Sequence, residues 1–179
     1  MCGMTLWFSD LGVTDPVKSG RAFAYIVRLL EQKDLPYMIS GGLAARCYGA
    51  KRPLADIDIG IDFAHDKAAG FFGEIKNLSR GYIKYKDAEW DVPIHMFEHH
   101  GQGFDIFDTG NCFVFDKASG KWRRLDHSFA LVEKIGIDGI EVPVIDRRTL
   151  LRYKRMIDRA VDREDVAAIL AVLDNDPNT

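Results

Sequence analysis

The chain has 179 residues, 47% of them hydrophobic and 28% charged, with a formal net charge of −3, which suits one compact domain with a substantial core. The acidic balance argues against a protein that coats nucleic acid, and no apolar run approaches the ~18 residues of a membrane span. Cys2, Cys47 and Cys112 stand far apart in no paired motif, and Met1 to Asp10 has no basic leader, so the expectation is a cytoplasmic protein with reduced thiols, no disulfide framework and no signal peptide.

Thr14-Asp15-Pro16 opens the first helix, with a capping side chain and proline at the first helical position. Ala22, Ala24, Tyr25, Ile26, Leu29 and Leu30 give it an apolar stripe. A short strand over Leu35 to Ile39 follows, then two turns of helix over Gly42 to Tyr48, and a strand over Ala55 to Ile61. Asp62 is expected to cap a third helix over Ala64 to Leu78. From Tyr82 to Phe115, short β-rich runs broken by Gly101, Gly103 and Gly110 read as an antiparallel meander. Ser128 to Ile135 fits helix or strand equally well. Glu141 to Ile145 is a strand, Asp146 caps a helix over Thr149 to Arg159, and Asp162 with Asp165 begins the last one. The tail from Asp174 reads as frayed. The order predicts an α+β fold: a small mixed sheet, helices packed on it, and a C-terminal helical pair.

The chemistry concentrates between the second and third of these elements. On a strand, Asp56 and Asp58 share one face while Ile57, Ile59 and Ile61 fill the other. Two adjacent carboxylates repel, and burying them calls for a cation. The turn Ser40-Gly41-Gly42 opens into a helix, where backbone N–H groups face an anion. Metal ions beside a phosphate cradle suggest a nucleotide enzyme.

Ser40-Gly41-Gly42, Lys51-Arg52 and Asp56-Ile57-Asp58-Ile59 together resemble the core motif of the nucleotidyltransferase superfamily with the polymerase-β-like fold. The resemblance is to its minimal bacterial members, the lincosamide nucleotidyltransferases and the nucleotidyltransferase toxins of toxin–antitoxin systems. Tyr153-Lys154, Arg159, Asp162 and Asp165 are similar to a C-terminal feature of the same proteins. The resemblance implies a catalytic core over residues 1–145 with a helical segment, 146–179, packed on it. It implies Mg²⁺ held by Asp56, Asp58 and a third carboxylate, with Asp105 the first choice, Asp108 the alternative and Asp91 a weaker third. Ser40, Gly41 and Gly42 would hold the phosphates of a nucleoside triphosphate, Arg52 would offset their charge, and Lys154 would reach them from the C-terminal helix. The acceptor is left open between a small molecule, a protein and an RNA end, and a homodimer or partner would complete the cleft. A non-catalytic binding member of the same fold is the alternative.

Taken as plain sequence, Arg159 and Asp165 read as helix-surface charges and Asp162 as a helix cap. His95-Met96-Phe97-Glu98-His99 spells an inverted zinc-peptidase motif, but that chemistry requires a helix. Pro93 before it and Gly101-Gln102-Gly103 after it favour a strand running into a turn. His127 carries no sequence signal, and Trp90 and Trp122 default to packing.

Overall fold

The computed structural model describes residues 5–174, so Cys2 and the tail beyond Asp174 lie outside the described residues. The strands are β1 (Thr5–Leu6), β2 (Tyr37–Ile39), β3 (Asp56–Ile61), β4 (Ser79–Lys86), β5 (Trp90–His99), β6 (Gln102–Asp108), β7 (Phe113–Asp116), β8 (Lys121–Arg124), β9 (Val132–Ile137) and β10 (Ile140–Ile145). The helices are α1 (Pro16–Gln32), α2 (Gly41–Cys47), α3 (Ala68–Ile75), α4 (Arg147–Ile157) and α5 (Ala160–Asp174). All the strands join one mixed sheet in the order β1-β9-β10-β2-β3-β6-β5-β7-β8, with β4 paired to β5. The fold is α+β, with a larger sheet than the sequence suggests because the central meander extends it edgewise. Among the described residues no helix is long and apolar enough to cross a membrane.

The centre of the sheet positions the site. β3 runs antiparallel to β2 and parallel to β6, with Ile57 opposite Phe104 and Asp58 opposite Asp105. One face therefore carries Ile57, Ile59, Phe104 and Ile106, all fully buried, and the other carries the carboxylates. α1 and α3 pack over the apolar face. Phe72 of α3 stacks on His95 of β5, ring centroids 4.1 Å apart, and Tyr25 of α1 turns outward against His99 at 4.9 Å. α2, α4 and α5 close the carboxylate side, where α2 meets β3 and α4 meets both β7 and α5.

Local chemistry explains the helix ends. Asp15 accepts from the Lys18 N–H at 3.1 Å, with Pro16 at the first helical position, and Asp146 accepts from the Thr149 N–H at 3.0 Å. The third helix is shorter than expected: it starts at Ala68, and Asp62 instead caps a turn by accepting from the Ala64 N–H at 2.9 Å. Gly70 and Gly73 weaken this helix from within. Residues 128–131 are irregular before β9, so the ambiguous segment resolves to loop and strand. His95 to His99 lie on β5, where His95 and Glu98 point to opposite faces. Among the described residues no three His, Cys, Asp or Glu side chains are gathered closely enough to hold a metal ion by themselves.

Candidate active site

β2 ends at Ile39, Ser40 caps α2 with extended backbone, and Gly41 turns the chain with φ +56°. This left-handed conformation strains any residue with a Cβ. At Gly41 there is a further reason for glycine: a Cβ would fall on the Asp58 carboxylate. The Ser40 N–H donates to the Asp58 backbone carbonyl at 3.0 Å, so the diglycine turn and the aspartate strand are hydrogen-bonded neighbours. Gly41→Ala is expected to lower stability by about 1–2 kcal/mol through the backbone alone. It should also displace the Asp58 carboxylate, and chemical denaturation would measure the combined loss.

Asp56, Asp58, Asp105, Ser40, Gly41, Gly42, Arg52 and Lys154 all line one cleft of about 440 Å³. Asp105 lies opposite Asp58 in the parallel register and shares its face, which places the third carboxylate beside the first two. Asp108 is on the other face and is consumed locally: it accepts from the N–H groups of Phe63 (3.2 Å) and Gly110 (2.9 Å) and from the Asn111 amide (2.7 Å). Asp91 pairs with Lys84 and Lys86 away from the cleft.

No lysine or arginine among the described residues forms an ion pair with Asp56, Asp58 or Asp105. The consequence is electrostatic. Dense packing around Asp58, then the charges of Asp56 and Asp105, push its carboxyl up to about 7, although the Gly42 N–H and Lys154 pull the other way. Asp105 is raised to about 6 by burial and by Asp56. An uncompensated set of carboxylate oxygens facing a cleft suits a hard divalent cation such as Mg²⁺.

Two findings depart from the sequence reading. The Gly41 N–H donates to the Tyr153 hydroxyl at 3.0 Å, the Ser40 and Tyr153 hydroxyls are 3.3 Å apart, and the Gly42 N–H bonds Asp58. Tyr153 of α4 thus holds the turn in place, a role that sequence reasoning missed. Nor are Arg159, Asp162 and Asp165 an ordinary helix surface. Asp162 and Asp165 are fully buried. Lys154 Nζ lies 3.1 Å from Asp162 and 2.8 Å from Asp165. Arg52 Nε meets both oxygens of Asp165 at 3.0 and 3.1 Å, and Arg159 Nε meets Asp162 at 2.7 Å. Asp162 also accepts from the Arg159 backbone N–H at 3.3 Å, the reach-back half of a capping box, so it caps α5 as well as pairing. Three cations, Arg52, Lys154 and Arg159, thus line the cleft with the buried Asp162 and Asp165 beneath them, and Asp87 lines it beside Arg159.

No family model matches the sequence, and no curated protein matches it. The architecture nevertheless superimposes on solved structures. A provisionally assigned nucleotidyltransferase from Thermotoga maritima aligns over 85% of this chain and 92% of its own, with a TM-score of 0.62 and 14% identity. The chain has a nucleotidyltransferase-like fold. The lincosamide antibiotic adenylyltransferase LnuA, solved with lincomycin bound, aligns over 85% of this chain and 96% of its own (TM-score 0.56, 16% identity). ANT(2″)-Ia, solved with adenylyl-2″-tobramycin, covers 86% and 88% respectively (TM-score 0.54, 14% identity). In this nucleotidyltransferase-like fold, the strand–turn–helix from Tyr37 to Cys47 and the aspartate strand β3 form the floor and one wall of the cleft, and α4 with α5 forms the opposite wall.

Proposed function

We propose that this protein is a Mg²⁺-dependent nucleotidyltransferase, moving a nucleoside monophosphate from a nucleoside triphosphate to an acceptor hydroxyl with release of pyrophosphate. The observation that carries the reading is the juxtaposition in one cleft of three unpaired carboxylates, Asp56, Asp58 and Asp105, with a cationic wall built from Arg52, Lys154 and Arg159. Asp56, Asp58 and Asp105 would hold the metal, which when bound supplies charge neutralisation for the polyphosphate and activation of the attacking hydroxyl.

The chain's own residues account for the rest. The cations Arg52, Lys154 and Arg159 would attract the triphosphate and stabilise the negative charge that grows on departing pyrophosphate. Gly41, lacking a Cβ, lets Asp58 and the turn stand in contact. Tyr153 fixes that turn, so its place beside Asp58 is organised before substrate arrives. Asp105, opposite Asp58 on the same face of the sheet, would be the carboxylate that takes the acceptor's proton. The acceptor oxygen forms a bond to the α-phosphorus as the bridge to the β-phosphate breaks. Asp105 opposite Asp58 supports an enzyme over a non-catalytic binder, because it offers a third carboxylate at the cleft.

LnuA and ANT(2″)-Ia were solved with an antibiotic or its adenylylated product, so small hydroxyl compounds are the first acceptors to screen, followed by RNA ends and protein side chains. With α-labelled triphosphates and Mg²⁺, the expected result is label on an acceptor together with pyrophosphate release, both abolished by chelation. Transfer that survives in an Asp56→Asn, Asp58→Asn double variant would overturn the assignment.

A further inference from the structure

Beyond Asp105 the cleft changes character. Along the carboxylate face, β6 carries Phe107 two residues past Asp105, and the antiparallel β5 sets Met96 opposite Asp105 and Ile94 opposite Phe107. Val92 and Trp90 continue the row. Trp90 meets the ring of Tyr153 edge-on at 6.0 Å, and His127, from the loop between β8 and β9, tilts against Phe107 at 5.1 Å. This stretch of the cleft wall is apolar and aromatic, with Asp87 and Arg159 bordering it beyond Trp90 and the carboxylates bordering it at Asp105.

His127 is the anomaly in this recess. It is 9% exposed and lines the cleft, and its Nδ1 is buried without a hydrogen-bond partner. Buried imidazole nitrogens are ordinarily bonded; the enclosed Nδ1 of His127 is not, so a ring that lines the cleft keeps unused hydrogen-bonding capacity. Burial holds the ring's pKa down to about 4; Asp126 opposes this and Arg152 reinforces it. At neutral pH the ring is therefore uncharged, with one nitrogen donating and the other accepting.

Resting on the reading of the site as a nucleotidyltransferase cleft, we infer that this recess receives the base of the nucleoside triphosphate and that His127 reads its edge through a hydrogen bond. A nucleoside triphosphate joins a polyanion to a flat heteroaromatic ring whose rim carries neutral donors and acceptors. Trp90 and Phe107 offer π surfaces for the ring. His127 supplies the polar group that fixes its orientation, which makes it the specificity-determining residue for the base.

The test compares binding of the four nucleoside triphosphates and of inorganic triphosphate, all with Mg²⁺, to the unaltered protein, to His127→Phe and to His127→Gln. Phenylalanine keeps the ring and removes both nitrogens; glutamine keeps a donor and an acceptor. The expected result is about tenfold weaker binding of the preferred nucleotide to His127→Phe, a flattened ranking among bases, unchanged affinity for inorganic triphosphate, and partial recovery in His127→Gln. An unchanged ranking in both variants overturns the inference, as does an equal fall for inorganic triphosphate, which would mark a purely structural role, or an effect confined to the acceptor's KM. Should His127→Phe fail to fold, His127→Leu, which likewise lacks both nitrogens, takes its place, and an unaltered ranking there overturns the inference. If the unaltered protein binds neither inorganic triphosphate nor any nucleotide, the proposed function itself falls and this inference with it.

Discussion

Asp58→Asn is expected to abolish nucleotide transfer, by on the order of a thousandfold or more, while making the metal-free protein more stable. The two effects share one cause. Asp58 stands among carboxylates in a densely packed position, and its pKa is raised from the ordinary 3.8 to about 7. Between those values the folded chain holds a proton that the unfolded chain has lost, so stability falls as pH rises through this window and the penalty is complete above about pH 7. Asparagine has the same shape and no charge. At about 1.4 kcal/mol per pKa unit, and allowing for the part of Asp58 that remains open to the cleft, removing the charge should return roughly 2 kcal/mol at neutral pH and almost nothing at pH 4. Thermal unfolding at the two pH values measures this directly. Adding Mg²⁺ should raise the melting temperature of the unaltered protein and leave the variant nearly unmoved, since a ligand stabilises only the state that binds it. A variant less stable than the parent at neutral pH, or one that still responds to Mg²⁺ as the parent does, would contradict this account of Asp58.

How legible the site was in the sequence depended on whether its geometry is local. The alternation Asp56-Ile57-Asp58-Ile59 reveals its two faces because strand period alone decides them. The diglycine turn is visible for a similar reason, although the sterics that require Gly41, a carboxylate from another strand, are not. Asp105 and Asp108 could not be separated by pattern, because three residues along a strand reverse the face and only the pairing with β3 says which faces Asp58. Most of the Lys154, Arg52, Asp165 and Asp162 network was hidden as well. The contact between Arg52 and Asp165 joins distant parts of the chain, and the same acidic letters at a helix start describe an exposed cap equally well. The third helix is shorter than its apolar spacing suggests because the Asp62 turn takes up the residues before Ala68. His127 had no local signature of any kind: its setting is made by Phe107 and the shape of the cleft.

Lys154→Met tests the hidden network, and the expected loss of stability is about 3 kcal/mol. Burial alone would favour the neutral amine, but Tyr153, Asp165 and Asp162 outweigh it and hold the Lys154 pKa above the usual lysine value. Burial likewise works to raise Asp162, yet Arg159 and Lys154 prevail and keep it below the usual aspartate value. Methionine preserves the length of the side chain but leaves two fully buried carboxylates short of a cation, and breaking a buried pair from one side costs about 3–5 kcal/mol. The lower end applies because Arg52 still holds Asp165 and Arg159 still holds Asp162. Pairing Lys154→Met with Asp165→Asn should recover more than about 1 kcal/mol of the summed single losses, which a double-mutant cycle by denaturant unfolding would read. The pH dependence has two edges. The stabilisation through Asp162 is present above its unfolded pKa and disappears as pH falls through the depressed folded value, whereas that through Lys154 is present below its unfolded pKa and disappears as pH rises through the raised folded value. Both edges should flatten in the variant. The same substitution removes one of the three cations that line the cleft, so affinity for inorganic triphosphate should fall even where the variant is fully folded.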